Sequence, residues 1–102
     1  MGERVLSLPG ASYSLEPGWG RLPQGMAFGH VVGLAVDGED NVYVLNRGER
    51  RVVVFSREGN YLDAWGGEDL FLNPHCVCFD SRGDLYVGET LEGSRVQKFT
   101  RL

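Results

Sequence analysis

The side chains best suited to chemistry in this chain are concentrated in one short segment, His75-Cys-Val-Cys78. Imidazole and thiolate groups are both common metal ligands. Because successive side chains of a strand point to opposite faces, Cys76 and Cys78 are predicted to face away from His75. The two cysteines are expected to pack in the core as reduced thiols. His75 is compatible with either a ligand or a hydrogen-bonded channel or surface residue, and His30 is expected in a loop.

The elements that position this segment come from an internal repeat. Several residues recur 43 positions further along the chain, and the last pair is separated by 44, which places one insertion in a loop. The pairs are Asp37 and Asp80, Tyr43 and Tyr86, Val44 and Val87, and finally Phe55 and Phe99. A period of about 40–45 residues built from short strands is typical of a β-propeller blade. The two aspartates close an inner strand in each copy, so they are interpreted as turn-capping carboxylates.

Turn residues divide each copy into strands and predict an all-β fold with two four-stranded blades per chain, residues 1–102 forming one unit. Residues 28–66 form the first blade and residues 71–101 the second, which has three strands of its own. Residues 12–20 are expected to supply a fourth strand beside residues 95–101, because Tyr13 and Trp19 resemble Tyr61 and Trp65 of the first blade's outer strand. This pairing forms either within one chain or between chains, and a six-bladed ring would place it on the neighbouring subunit.

Composition excludes several classes of partner. The 102 residues carry a net charge of -4, with ten basic residues scattered among fourteen acidic ones, so neither a nucleic-acid surface nor an anionic membrane surface is expected. No apolar run reaches the ~18 residues of a membrane span, and Met1-Gly-Glu-Arg leads into no apolar signal segment. A cytoplasmic location is therefore predicted, in agreement with two reduced cysteines.

The repeat also resembles a known family. The runs Pro17-Gly-Trp-Gly-Arg-Leu-Pro-Gln-Gly25 and Gly33-Leu-Ala-Val-Asp-Gly-Glu-Asp-Asn-Val-Tyr-Val-Leu-Asn-Arg-Gly48 are similar to the first blade of NHL-type propellers of the peptidyl-hydroxyglycine alpha-amidating lyase family. The run from His75 to Glu89 resembles a late blade of its bacterial members. That family has six blades in one chain, whereas only two are recognised here.

The resemblance implies a role for two residues. In the family, three histidines from alternate blades hold a zinc ion in the central channel, and His75 stands at the matching position, where the first blade has Val32. Arg47 matches the arginine that binds the substrate carboxylate, although a solvated turn arginine would give the same pattern. Leu91 stands where the family has its tyrosine base, and Cys76 where an acidic residue often follows the histidine. Both departures argue against catalysis.

Two blades cannot close a ring that takes about 4–8, so copies of the chain are expected to assemble, and two, three or four copies would give four, six or eight blades. The family resemblance implies six blades, and the expected assembly is therefore a homotrimer. Three His75 side chains would then surround the axis as ligands of zinc. The expected function is a self-assembling NHL-type propeller, with a peptide or small molecule in its channel. The alternatives are an active lyase-like metalloenzyme and a propeller without metal that is purely structural or ligand-binding.

Overall fold

The described residues form nine short strands and one 3₁₀ turn. A computed structural model describes residues 5–49, 51–67 and 69–102. Residues 1–4, where no signal segment is predicted, and the single residues Arg50 and Glu68 lie outside the described residues. The strands are β1 (Val5–Leu8), β2 (Ala11–Ser14), β3 (Val31–Val36), β4 (Val42–Asn46), β5 (Arg51–Phe55), β6 (Tyr61–Gly66), β7 (Pro74–Phe79), β8 (Leu85–Glu89) and β9 (Arg95–Phe99), with the 3₁₀ turn at Arg47–Glu49.

The first blade is an antiparallel sheet in the order β3-β4-β5-β6. Each strand pairs with the next one in the sequence, because connections of four or five residues, each with a glycine, join them. In the turn before β6, Gly59 has a φ of 88°, a left-handed conformation that glycine adopts without strain. The prediction of one complete four-stranded blade is confirmed.

The second blade has three antiparallel strands in the order β7-β8-β9. The all-β class is therefore confirmed, with sheets of two, four and three strands in the described chain. The predicted pairing of residues 12–20 with residues 95–101 is not made within the chain, because Ala11–Ser14 pairs with Val5–Leu8 instead. Whether the pairing forms between chains stays a prediction, and so do the unit boundaries.

Both inner strands carry a β-bulge at the same place. The register of β3 with β4 shifts between Val31 and Gly33, and that of β7 with β8 shifts between Pro74 and Cys76. The extra residue is Val32 in the first blade and His75 in the second. A bulge changes the direction in which a side chain points and is a common device next to binding sites.

The main core lies between the two blades. The first blade contributes Leu45 and Val52 to it. The second blade contributes the buried side chains of Phe71, Val77, Leu85 and Val87. A smaller core covers the other side of the first blade, where loop residues 19–26 pack on Val44, Val53 and Phe55.

One aromatic arrangement occurs twice. Trp65, from the last strand of the first blade, lies 5.5 Å from Phe99 and 5.9 Å from Phe71 of the second blade, measured between ring centroids. In the N-terminal segment, Trp19 lies 5.5 Å from Phe55. Phe28 lies 5.9 Å from Phe55, as Phe71 lies 6.2 Å from Phe99. Trp19 therefore sits on the first blade as Trp65 sits on the second.

Candidate functional site

The candidate site lies at the upper end of the blades, which we define as the end where β3 and β7 begin. The two inner strands are adjacent and run in the same direction. A Cβ atom on Gly33 would lie 3.5 Å from the Cα atom of Cys76, two residues that correspond in the repeat. The bulge residues Val32 and His75 consequently belong to the same end of the molecule.

In the first blade, Asn46 fixes the loop that leads into the inner strand. Its fully buried side chain accepts a hydrogen bond from the Gly29 N–H through Oδ1 (2.9 Å) and donates one from Nδ2 to the Ala27 carbonyl (3.1 Å). The following residue, Arg47, donates its backbone N–H to the His30 carbonyl (2.8 Å). These bonds attach the loop before β3 to the turn after β4.

In the second blade, Glu89 fixes the loop that leads into the inner strand β7. Its Oε1 accepts the N–H groups of Leu72 (2.7 Å) and Asn73 (2.8 Å). Its Oε2 accepts Arg95 Nε (2.7 Å) and Gln97 Nε2 (2.8 Å). Burial by itself raises the pKa of Glu89, but these four hydrogen bonds, with Arg95 the strongest, lower it to about 2. The carboxylate is therefore ionised at every physiological pH, and it holds the backbone directly before Pro74 and His75.

His75 is exposed at the bulge of β7. Regular alternation predicts that His75 lies on the face opposite to Cys76 and Cys78. That alternation does not hold at His75, because the bulge interrupts it; Val77 is buried while His75 and Cys76 are both exposed. The imidazole is thus accessible at the upper end of the blade.

Arg47 is half-buried in the 3₁₀ turn after β4. Among the described residues, its guanidinium has no hydrogen-bond or ion-pair partner. Its position is fixed through its own backbone by His30 and through the neighbouring Asn46. The turn therefore presents a cation at the same end of the molecule as His75.

Cys76 and Cys78 are free thiols, as predicted, but the prediction that they pack in the core is wrong for this chain. Both are exposed on the side of the second blade that faces away from the first. In the first blade the corresponding residues are Gly33 and Ala35, which are partly buried against β7 and the main core. The cysteines are exposed because no third blade lies on their side in the chain.

The comparisons with known proteins identify the second blade. The NHL repeat model matches residues 71–99, which contain all of β7, β8 and β9. Residues 71–99 form an NHL repeat. No curated protein was found to match the chain. The NHL repeat confirms the repeat type predicted from the sequence, and the narrower resemblance to amidating lyases stays a hypothesis.

No metal site is complete within one copy of the NHL repeat and its neighbouring blade. In the described ranges, no group of three His, Cys, Asp or Glu side chains is placed to hold a metal ion. His30 is an exposed loop residue, as predicted, and Leu91 is exposed in the turn before β9. The sequence-predicted ligand His75 lies exposed at the upper end.

The two turn aspartates lie at the opposite, lower end. Oδ1 of Asp80 in the NHL repeat accepts the N–H groups of Arg82 (2.9 Å) and Asp84 (3.0 Å), and Asp37 does the same with Glu39 and Asn41. Burial raises the pKa of Asp37, but hydrogen bonds led by that from Asn41 lower it below its ordinary value. The interpretation of both residues as turn caps is confirmed.

Sequence reasoning missed the most connected residue of the upper end. Glu89 follows Asn46 by 43 positions, so the repeat itself marks the site as a polar position at the end of β4 and β8. Its partners could not be inferred, because Leu72 and Asn73 precede it by 17 and 16 residues while Arg95 and Gln97 follow it.

Among the described elements, none is a helix long and apolar enough to cross a membrane.

Proposed function

We propose that this chain is a self-assembling NHL-type propeller module, three copies of which close a six-bladed ring around a ligand-binding channel. The observation that carries the proposal is the uncovered inner-strand part of one face of the first blade, beside the part that residues 19–26 cover. Leu34 and Val36 are 62% and 55% exposed, and we call the surface around them the leading face of the first blade. Their counterparts, Val77 and Phe79, are covered by the first blade, and Val77 is only 8% exposed.

The opposite side of the chain is uncovered in a complementary way. The trailing face of the second blade, defined by Cys76, Cys78 and Val96, corresponds to a surface that is covered in the first blade. Val96 is 72% exposed, whereas its counterpart Val52 is fully buried. Because burying a Val or Leu side chain stabilises by roughly 1.5–3 kcal/mol, a copy that packs its leading face on this trailing face would gain substantially. The contact is head-to-tail, so it closes only as a ring.

The mass of the native protein in solution tests this proposal. Multi-angle light scattering should give a mass close to three chains. Leu34→Asp should reduce it to one chain, because a carboxylate would have to be buried against the partner's trailing face. Leu91→Asp is the matched control, since Leu91 is equally exposed but lies in a turn, and it should leave the mass unchanged. A native protein of one-chain mass at high concentration would contradict the proposal.

A metal centre on the ring axis is the second part of the proposal. Three-fold symmetry would bring three copies of the accessible His75 together, and three imidazoles with an open position are a ligand set of catalytic zinc. Zinc held there would supply Lewis-acid chemistry to a substrate carbonyl or bound water. Arg47, whose guanidinium is unpaired among the described residues, would bind a carboxylate of a peptide or small molecule in the channel.

The centre is tested by zinc titration of the purified ring. Calorimetry should give one zinc ion per three chains for the native protein and none for His75→Ala, while His30→Ala binds as the native protein does.

The alternative of a lyase-like enzyme is favoured by the joint presence of His75 and Arg47 at the upper end and disfavoured by Leu91. Cleavage of C-terminal hydroxyglycine peptides by the zinc-loaded ring would support the lyase-like enzyme, and an inactive zinc-loaded ring would indicate a binding module instead.

The free thiols of Cys76 and Cys78 support a cytoplasmic location.

A further inference from the structure

The N-terminal segment of residues 5–20, which we call the arm, presents an apolar surface without a partner in the chain. Its hairpin, β1 and β2, pairs with no other strand of the described residues. Most of its large apolar side chains are 49% or more exposed, namely Val5, Leu6, Leu8, Tyr13 and Leu15. A two-stranded hairpin is marginally stable in water by itself. The arm therefore needs a further surface to pack on.

The position of Trp19 shows which element the arm replaces. Trp65 belongs to the fourth strand of one blade and packs on Phe99 of the next. Trp19 packs on Phe55 of the first blade at the same centroid distance, and its indole N–H donates to the Arg57 carbonyl (2.9 Å). The arm is consequently held where the fourth strand of a blade preceding the first one would lie.

Two strand edges are open for that preceding blade. In the described chain, β9 pairs only with β8, and β2 pairs only with β1. In the first blade, Val52 pairs with Trp65 and Phe55 pairs with Tyr61. Transferring these pairs along the repeat places Trp19 opposite Val96 of a second copy, and Tyr13 opposite Phe99 of that copy. The register that follows sets Ser12 opposite Thr100.

Charge favours the arm as the occupant of this edge. Residues 95–101 carry three cations, Arg95, Lys98 and Arg101, of which Arg95 and Lys98 form ion pairs with Glu89 and Asp84 in the same chain. Residues 5–20 hold a single charged side chain, Glu16, and no cation. A second β9 edge would bring three further cations to β9 and the arm brings none, so the charge distribution favours the arm over an edge-to-edge dimer.

We infer that the arm of one copy adds to β9 of a second copy, which gives a composite blade of five strands in the order β7-β8-β9-β2-β1. The inference rests on the proposed ring and specifies how its subunits are joined. Each subunit thus contributes two strands to its neighbour's blade, and β1 becomes the outermost strand. The apolar arm would then cover the exposed Val96 of the partner copy.

Cysteine cross-linking between two variants tests the exchange. Cys76→Ser and Cys78→Ser are made in both chains, so that only the introduced thiols react. One chain carries Ser12→Cys and the other Thr100→Cys, and the two are mixed, oxidised and separated on a non-reducing gel. Ser7→Cys replaces Ser12→Cys as the matched control, because Ser7 pairs with Ser12 on β1 and would lie one strand further, about 5 Å, from β9. A disulfide requires Cβ atoms about 3.5–4.5 Å apart.

The expected result is a covalent two-chain product at least tenfold more abundant with Ser12→Cys than with Ser7→Cys. Equal yields, or no product from variants that light scattering shows to be rings, would overturn the exchange and leave the ring standing. If the two serine substitutions prevent assembly, hydrogen exchange of the unmodified protein gives the answer. The amides of Ala11–Ser14 and Arg95–Phe99 should then exchange at least tenfold more slowly in the ring than after dilution to single chains, and unchanged rates would overturn the inference. A one-chain native protein would overturn the ring and the exchange together.

Discussion

Asn46 and Glu89 occupy the same position of the repeat and solve the same problem with different groups. Each attaches a loop that would otherwise leave backbone N–H groups unpaired. The amide of Asn46 both accepts and donates, so it satisfies one N–H and one carbonyl. The carboxylate of Glu89 only accepts, so it requires more donors and obtains two from the backbone and two from Arg95 and Gln97. The stability of the second blade therefore depends on the ionised state of Glu89.

Acid should therefore weaken the fold through Glu89. Its folded pKa of about 2 lies below the ordinary value of 4.5, so its stabilisation is present above pH 4.5 and is lost as the pH falls from about 4.5 through about 2. The full contribution is about 3 kcal/mol, and Glu89→Gln should lower the free energy of unfolding near neutral pH by a similar amount. Urea unfolding at fixed protein concentration, over a pH series, measures both effects.

The control for this prediction is Glu58→Gln, which changes an exposed side chain in the turn before β6. It should leave the free energy of unfolding within about 0.5 kcal/mol of the native value. If Glu89→Gln keeps the native acid dependence between pH 4.5 and 2, the stabilisation resides elsewhere.

At this scale the sequence predicts what is local. Asp37 and Asp80 were interpreted correctly because their partners lie two and four residues ahead, within a single turn. The exposed state of Cys76 and Cys78 was not foreseen, because alternation indicates which side chains share a face but not whether a neighbour covers that face.

At the scale of the elements, the turn residues predicted the strands of both blades but did not predict the β-bulges. The repeat predicted the four strands of the first blade and three strands of the second. The bulges at Val32 and His75 have no marker in the sequence, and it was the bulge that invalidated the face assigned to His75. The strand β1 was not predicted, because no repeated residue pair reaches Val5–Leu8. Side-chain pattern defines strands more clearly than it defines their breaks and pairings.

Close backbone approach at the upper end predicts the effect of a small substitution. A Cβ atom on Gly48 would lie 3.0 Å from the Cα atom of Gly29 and 3.4 Å from the nitrogen of His30. Gly48→Ala should lower the free energy of unfolding by about 1–3 kcal/mol, because two backbones would have to separate. Gly38→Ala is the control, since a Cβ atom there meets nothing within 4 Å. It should be neutral or slightly stabilising in the same urea unfolding measurement. An unchanged free energy of unfolding in Gly48→Ala would contradict this prediction and show that the two backbones separate at little cost.

For the whole molecule, thiol chemistry distinguishes free chains from assembled ones without any substitution. Cys76 and Cys78 are exposed in the chain and would be covered by a partner's leading face in the ring. Alkylation by iodoacetamide should therefore be at least tenfold slower in concentrated protein than in the Leu34→Asp variant, whose chains remain separate. Mass spectrometry of the alkylated chains gives both rates. Equal rates would mean that the trailing face is not the surface that assembles.

Among the described residues, strand pairing joins neighbours in the sequence: β1 with β2, β3 through β6 in succession, and β7 through β9 in succession. Such local contacts close small loops and form quickly, whereas contacts between chains depend on diffusion. Refolding from urea should therefore show two phases. Sheet formation, followed by far-UV circular dichroism, should have a rate independent of protein concentration. Burial of the trailing face, followed by loss of thiol reactivity at Cys76 and Cys78, should be slower and should accelerate as the concentration rises. The sheets would then form before the chains associate, so a newly synthesised chain would be folded into its sheets before it binds other copies.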